Sequence, residues 1–273
     1  MSIDLHCHTR YSDGSTPLEE VVALASLRGV DTLAITDHDT MAGCTAALQC
    51  GAEQGVRIIP GVEISAADVK RSGKAHILCY GPEHPERLQP LLDATTKSRR
   101  EAMLVSVEKV VRLYPVSREM ILRRAEGSTN IYKQHVLQAL MDAGYAPEMF
   151  GEVFRRLYDS KNGAAYVRVQ YPSVPEVMEA IRWAGGRAVL AHPSEYHNME
   201  LLAELAKDKL LCGVEVYHPR NTPEDQAAMH EIAARYGLAE TGGTDFHGFY
   251  TTRKNPVGTF TTSQAEFDKL FAE

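Results

Sequence analysis

The apolar positions of the first eighty residues fall into short runs separated by amphipathic stretches. Residues 3–6 read as a brief buried strand and residues 32–36 as a second; residues 56–59, 62–64 and 75–80 are further extended segments. Between the first two, Val21, Val22, Leu24, Ala25 and Leu27 recur at helical spacing. Thr16, Pro17 and Glu19 supply an N-cap, a first-turn proline and the partner of a capping box, and Gly29 stops the helix. A second helix is expected from about residue 43 to 50.

From about residue 88 to 157 the β-branched alternation disappears. Apolar residues return at spacings of three and four, as in Val107, Val110, Val111 and in Val136, Leu137, Leu140, Met141. Helices are expected over 97–113, 117–125, 132–143 and 147–158. Alternation resumes after Tyr166. Ser173 and Glu176 form a second capping box, a strand over 187–191 leads to His192, and a strand over 213–217 leads to His218. A helix follows from Thr222 to Gly237, a strand over 238–241 leads to Asp245, and a last helix starts at Ser263 with Glu266 three residues on.

Strands alternating with helices predict parallel pairing and right-handed crossovers. The expected fold is α/β, a distorted (β/α)7 barrel carrying a small all-helical insertion. Its parts are a first barrel segment (1–97), the insertion (98–165) and a second barrel segment (166–273). In such barrels chemistry gathers at the C-terminal ends of the strands. His8, His38, Glu63, His76, His192, His218 and Asp245 all fall at or just past expected strand ends.

Composition changes this picture little. The 273 residues are 44% apolar and 24% charged, as in an ordinary globular protein. The net charge of -7 does not exclude a phosphate substrate, since bound cations would reset the local field. The five cysteines show no C-x-x-C pairing and read as buried free thiols. With no apolar leader and no stretch long enough to span a bilayer, a cytoplasmic enzyme is expected, without membrane association or an obligate protein partner.

The candidate chemistry begins with His6-Cys7-His8. Alternate residues of a strand share a face, so both imidazoles can grip one cation while Cys7 turns into the core. Thr36-Asp37-His38-Asp39, Glu63, His76, Ala191-His192-Pro193 and Gly243-Thr244-Asp245-Phe246-His247 repeat the pattern. Mixed imidazole and carboxylate donors suit divalent Mn, Fe or Zn, and the lack of sulfur donors argues against a structural zinc.

The segments His6-Cys7-His8-Thr9-x-Tyr11-Ser12-Asp13-Gly14, Ala34-Ile35-Thr36-Asp37-His38-Asp39 and Gly61-Val62-Glu63, with residues 186–193 and 243–247, resemble the PHP (polymerase and histidinol phosphatase) phosphoesterases. The resemblance spans most of the chain outside the insertion. The insertion and Gly213-Val214-Glu215-Val216-Tyr217-His218-Pro219-Arg220 look like the members acting on nucleoside 3′,5′-bisphosphates, related to enzymes that trim RNA from its 5′ end. It implies two or three divalent ions, Mn foremost, with Zn or Fe as alternatives. His6, His8, Glu63 and Asp245 would hold the first, and Glu63 would bridge to a second completed by His76 and His192. Asp13, His38 and His247 would hold the third. Several relatives carry His where Asp13 stands, Gly where Cys79 stands and Arg where Lys133 stands.

Phosphate ester hydrolysis then needs no serine or cysteine nucleophile. The expectation is in-line attack by a hydroxide bridging two metals, with Glu63, Asp245 and His247 as the catalytic residues around it. The implied substrate is a nucleoside 3′,5′-bisphosphate, such as adenosine 3′,5′-bisphosphate going to 5′-AMP, and short RNA besides. Arg99, Arg100, Arg118, Lys133, His135, His218 and Arg220 are the candidates to bind it, and Tyr11, Tyr80 and Tyr217 could pack against a base. The competing readings are a histidinol-phosphate-type phosphatase, a non-catalytic PHP module and a metal-dependent C–N hydrolase.

Overall fold

A computed structural model describes residues 1–252 and 255–272. Seven strands form one sheet in the order of the chain: β1 (Ile3–Asp4), β2 (Thr32–Ile35), β3 (Arg57–Asp68), β4 (Gly73–Tyr80), β5 (Arg187–Leu190), β6 (Gly213–Tyr217) and β7 (Ala239–Gly242). The sheet curls into a nearly closed barrel. The seam runs through the extension of β1, where Leu5 N–H donates to Gly242 (3.2 Å), Asp245 N–H to His6 (2.8 Å) and His8 N–H to Phe246 (2.9 Å). Gly243 sits on this seam, where an added Cβ would come within 2.2 Å of the His6 Cβ. Only glycine permits that approach.

Pairing is not parallel throughout. β4 runs antiparallel to both β3 and β5. Only Val69–Ser72 separates β3 from β4, far too short for a crossover, and Asp68 closes the turn by accepting from Arg71 N–H (3.3 Å). The residues expected as two extended segments are one twelve-residue strand, β3. The hairpin rises past the barrel rim, so Glu63 and His76 sit within strands instead of at their ends.

Helices α1 (Leu18–Leu27), α2 (Cys44–Gln54), α7 (Val174–Trp183), α8 (Met199–Lys207), α9 (Pro223–Tyr236) and α10 (Gln264–Leu270) surround the sheet. The Ser173–Glu176 capping box forms, with Ser173 N–H 2.7 Å from Glu176 Oε2. That at Thr16 does not: Pro17 occupies the cap position of α1 with no side-chain cap. Helix α8 was not expected; its Asn198 cap residue makes no side-chain cap and donates instead to the Lys74 carbonyl (3.0 Å). Of the cysteines, Cys7 and Cys79 are buried as expected, while Cys212 is exposed.

The segment between β4 and β5 holds α3 (Gln89–Leu113), α4 (Arg118–Arg124), α5 (Lys133–Asp142) and α6 (Glu152–Tyr158). These helices bury a core of their own, including Val107, Val110, Ile121, Leu137, Leu140 and Leu157. Leu92 of α3 belongs instead to the barrel core with Val62, Ile77 and Val177. Helix α3 therefore passes from one core to the other, and position 98 lies inside it. The insertion leans on the β1–α1 loop: Thr129 N–H donates to Tyr11 (2.9 Å) and Ser128 Oγ to Ser12 (2.7 Å). Among the described residues no helix is long and apolar enough to cross a membrane.

Candidate metal centre

Each functional side chain is delivered by the backbone pattern around it. His6 and His8 point inward from the extension of β1, while Cys7 packs outward with Leu18, Val21 and Leu33. Asp13 lies in the loop after β1, which is shaped from below by Asp37. That buried carboxylate accepts from Thr9 N–H (2.8 Å), Thr9 Oγ1 (2.7 Å) and Ser12 Oγ (2.6 Å). His192 and Asp245 both have positive φ, 27° and 52°. The His192 turn is held by its own N–H donating to Glu215 Oε2 at 2.9 Å. Such backbone strain persists where surrounding bonds over-determine it.

Glu63 is the centre of the cluster and its two oxygens face different partners. Oε1 lies 2.7 Å from His76 Nδ1 and 2.8 Å from His192 Nε2. Oε2 lies 3.3 Å from His6 Nε2, 3.2 Å from His8 Nε2 and 3.1 Å from His38 Nδ1. Asp245 Oδ1 adds to the second group, 3.2 Å from His8 Nε2 and 3.6 Å from His6 Nε2. A third group forms around Asp13, whose Oδ1 is 3.2 Å from His247 Nε2 and whose Oδ2 is 3.9 Å from His38 Nε2. All nine residues expected as metal ligands thus converge on one buried cluster.

The cluster has the marks of a cation site. Donor atoms about 2.1 Å from one ion stand roughly 3.0–3.4 Å from each other. The two Nε2 atoms of His6 and His8 are 3.1 Å apart, and both are about as far from Glu63 Oε2. His38 Nδ1 is 3.1 Å from Glu63 Oε2 yet forms no hydrogen bond with it. Buried ring nitrogens seldom go unpaired without a ligand to hold.

The electrostatics agree. Burial alone would raise the Glu63 and Asp245 carboxyls, but His38, His76 and His6 around the first, and His247 and His6 around the second, hold both well below the usual range. Burial would push the His8 imidazole down; bonds to Asp245 and Glu63 overturn this and raise it to about 10. Burial likewise opposes His192, which Glu63 and Glu195 bring up to about 9. Ionised carboxylates and imidazoles that attract positive charge form a field built for cations.

Glu215 is a member that sequence reasoning missed. Its Oε1 accepts from His6 Nδ1 (2.9 Å), which turns His6 Nε2 toward the cluster. The signal was there: a carboxylate between Val214 and Val216 in an apolar strand must be buried, and a buried charge needs a partner.

The residues expected to bind substrate scatter. Arg220 lines the cavity that opens over the cluster. Arg99 does not: it pairs with Asp39 (2.5 Å) and stacks between Tyr132 (4.9 Å) and Tyr171 (5.5 Å). Arg100 is exposed on α3, and Arg118 faces Glu108 at 3.6 Å, well into solvent. Lys133 is held among the rings of Phe154, Tyr158 and Tyr166. His135 is buried, its Nδ1 accepting from Tyr132 N–H (3.1 Å). His218 joins the cluster, with Nε2 3.3 Å from Asp245 Oδ2 and Nδ1 accepting from Arg220 N–H (3.2 Å). Tyr80 is buried in the barrel and donates to Leu5 (2.8 Å), and neither Tyr11 nor Tyr217 lines the cavity.

The cavity encloses about 370 Å³. Its lining includes side chains of the cluster, Phe150 and Phe154 of the insertion, and Tyr250 of the loop after β7. Gln134, which also lines it, donates to Asp13 Oδ2 at 2.7 Å. Glu195 and Tyr196 complete the rim, the Tyr196 ring lying edge-on to His76 at 4.9 Å.

A barrel with clustered imidazoles and carboxylates on its rim is the setting of a metal-dependent hydrolase, and known proteins narrow the class to a phosphoesterase. The chain belongs to the PHP domain family, whose model matches residues 4–184. It is 39% identical to the phosphoribosyl 1,2-cyclic phosphate 1,2-diphosphodiesterase of Eggerthella lenta, over 90% of this chain and 94% of that one. Identity is 31% to the 3′,5′-nucleoside bisphosphate phosphatase of Chromobacterium violaceum, over 90% of this chain and 87% of that one. It is also 31% to the 5′-3′ exoribonuclease Rnm of Escherichia coli, over 89% and 84%. A crystal structure described as a metal-dependent phosphoesterase of Bifidobacterium adolescentis superposes with a TM-score of 0.88 at 30% identity, covering 98% of this chain and 94% of that one. The protein is a hydrolase of phosphoric esters.

Proposed function

We propose that the chain removes the 3′-phosphate from nucleoside 3′,5′-bisphosphates and trims short 5′-phosphorylated RNA by the same chemistry. One observation carries this reading: the cavity over the imidazole and carboxylate cluster is also lined by the rings of Phe150, Phe154 and Tyr250. A phosphate at the cluster would leave a base within the same cavity to stack on those rings. The residues 98–165 act here as an inserted helical domain that roofs the barrel formed by 1–97 and 166–273.

His6, His8, Glu63 and Asp245 would hold one divalent cation, Glu63, His76 and His192 a second, and Asp13, His38 and His247 a third, with Mn the first candidate. Such ions supply an activated water and positive charge against the phosphoryl oxygens. Glu63 spaces the first two groups through its separate oxygens. Glu215 orients His6, Gln134 fixes Asp13, and Arg220 attracts the anionic substrate. Asp245 and His247 stand on one turn, with His247 Nδ1 2.9 Å from the Asp245 carbonyl, so its Nε2 faces Asp13.

A second reading has a specific observation behind it. The greater identity to the phosphoribosyl cyclic phosphate enzyme, 39% against 31%, favours a cyclic phosphoribosyl ester as substrate. Both substrates place a phosphoester on a phosphorylated ribose. Phosphate release by Mn-loaded protein separates them, using adenosine 3′,5′-bisphosphate, phosphoribosyl 1,2-cyclic phosphate, 5′-AMP, 3′-AMP, histidinol phosphate and a 5′-phosphorylated oligoribonucleotide. Turnover of the bisphosphate to 5′-AMP, faster than of 3′-AMP, is expected. Turnover of the cyclic ester alone would replace the first reading with the second, and inactivity on every ribose ester would reject both.

A further inference from the structure

Glu195 lies between two groups that both want its charge. Its Oε1 is 3.2 Å from Arg220 Nη1, the cation of the cavity lining among the described residues. Its Oε2 is 3.5 Å from His192 Nδ1, just out of hydrogen-bond range, and that buried ring nitrogen has no other partner. The opposite nitrogen, Nε2, faces Glu63 at 2.8 Å. An imidazole that binds a cation through one nitrogen carries its proton on the other, and an acceptor there raises its strength as a ligand. His6 has such an acceptor in Glu215 at 2.9 Å. His192 has only Glu195, which Arg220 draws the other way.

We infer that Glu195 is a positioning residue shared between substrate capture and metal binding. An anionic phosphate that takes Arg220 releases Glu195 to accept from His192 Nδ1–H, so capture of the phosphate tightens the hold of His192 on its cation. By linkage, a cation held at His192 draws Glu195 away from Arg220 and leaves that guanidinium freer for the phosphate. The geometry allows this with little movement: Glu195 lies two residues after Pro193, its side chain is 22% exposed, and that of Arg220 is 40% exposed. The inference rests on the metal-centre reading above and extends it to how the charges behind the ligands respond to the rim.

The test is a double-mutant cycle read as Mn²⁺ affinity, by the electron paramagnetic resonance of free Mn²⁺, with no turnover involved. Arg220→Gln should tighten Mn²⁺ binding several-fold, since Glu195 is then free for His192; the outer partner of a ligating histidine is worth about 10–100-fold in affinity. Loss of a nearby positive charge would also tighten binding, by plain electrostatics, so the cycle decides. In protein already carrying Glu195→Gln, the Arg220→Gln change should tighten binding by a much smaller factor if the path runs through Glu195. An equal tightening with and without Glu195→Gln would overturn the inference while leaving the metal centre intact. Inorganic phosphate gives the second readout: Glu195→Gln should cut the fold-increase in Mn²⁺ affinity that phosphate produces, and an unchanged increase would count against the shared role. Thermal unfolding of each variant establishes that it is folded. Absence of Mn²⁺ binding in the unaltered protein would overturn the metal-centre reading and this inference together.

Discussion

A histidine buried among apolar side chains titrates against the fold that holds it. Burial pushes His135 down to about 4, and its Nδ1 is committed to the Tyr132 N–H that begins α5. The folded state therefore refuses a proton that the unfolded chain accepts near its ordinary value of 6.5. Stability is full above about pH 6.5 and is lost as pH falls toward 4, by on the order of 3 kcal/mol from this residue. His135→Gln keeps an acceptor for the Tyr132 N–H and cannot titrate. Denaturant midpoints measured from pH 7 to 4 should fall less steeply in that variant; parallel curves would contradict the assignment. The same residue shows what was legible at this scale. The clustered side chains could be found because residues at alternate strand positions share a face, as His6 and His8 do. His135 and Lys133 could not be sorted, because a basic residue in an apolar helix looks the same whether it faces a ligand or a neighbouring ring.

At the scale of elements, the position of the site depends on how α3 and the β3–β4 hairpin meet. Arg99 of α3 reaches the turn after β2, bonding Asp39 and Ser65 Oγ (3.0 Å), while Asp39 also accepts from Ser65 N–H (2.8 Å). Its guanidinium is largely buried, so its role is to fasten elements. Arg99→Met should lower unfolding stability by about 3 kcal/mol, because it strands the Asp39 charge, and should leave the phosphate affinity of the folded protein nearly unchanged. Chemical denaturation together with phosphate titration checks both; a stable protein with lost phosphate affinity would return Arg99 to the substrate. The parallel pairing expected from strand-helix alternation holds for four of the six neighbouring pairs and fails at both pairs of β4. A four-residue link between β3 and β4 rules out a crossover whatever the rest of the pattern says. Helix α8 escaped notice for a different reason: its apolar residues Leu201, Leu202 and Leu205 fit a helix, but no Ser or Thr marks its start.

In the whole molecule, the barrel rim gathers the candidate metal ligands from the extension of β1, from β3 and β4, and from the loops after β1, β2, β5 and β7, and residues of the insertion line the cavity with them. Most of the cluster was foreseeable from strand ends, although Glu63 and His76 lie within β3 and β4, whereas its surroundings come from distant parts of the chain and were not. Phe150, Phe154, Tyr196 and Tyr250 carry no mark in the sequence that separates a cavity lining from ordinary packing. Glu195 and Gln134 gain meaning only from neighbours brought near by the fold. The central claim is that this rim is a divalent-metal centre. Anomalous diffraction at the manganese edge from crystals grown with Mn²⁺ tests it most directly. Anomalous peaks are predicted between His6, His8, Glu63 and Asp245, and between Glu63, His76 and His192, with a third beside Asp13, His38 and His247. No peak among these residues, in protein that still hydrolyses phosphate esters in the presence of chelator, would contradict it.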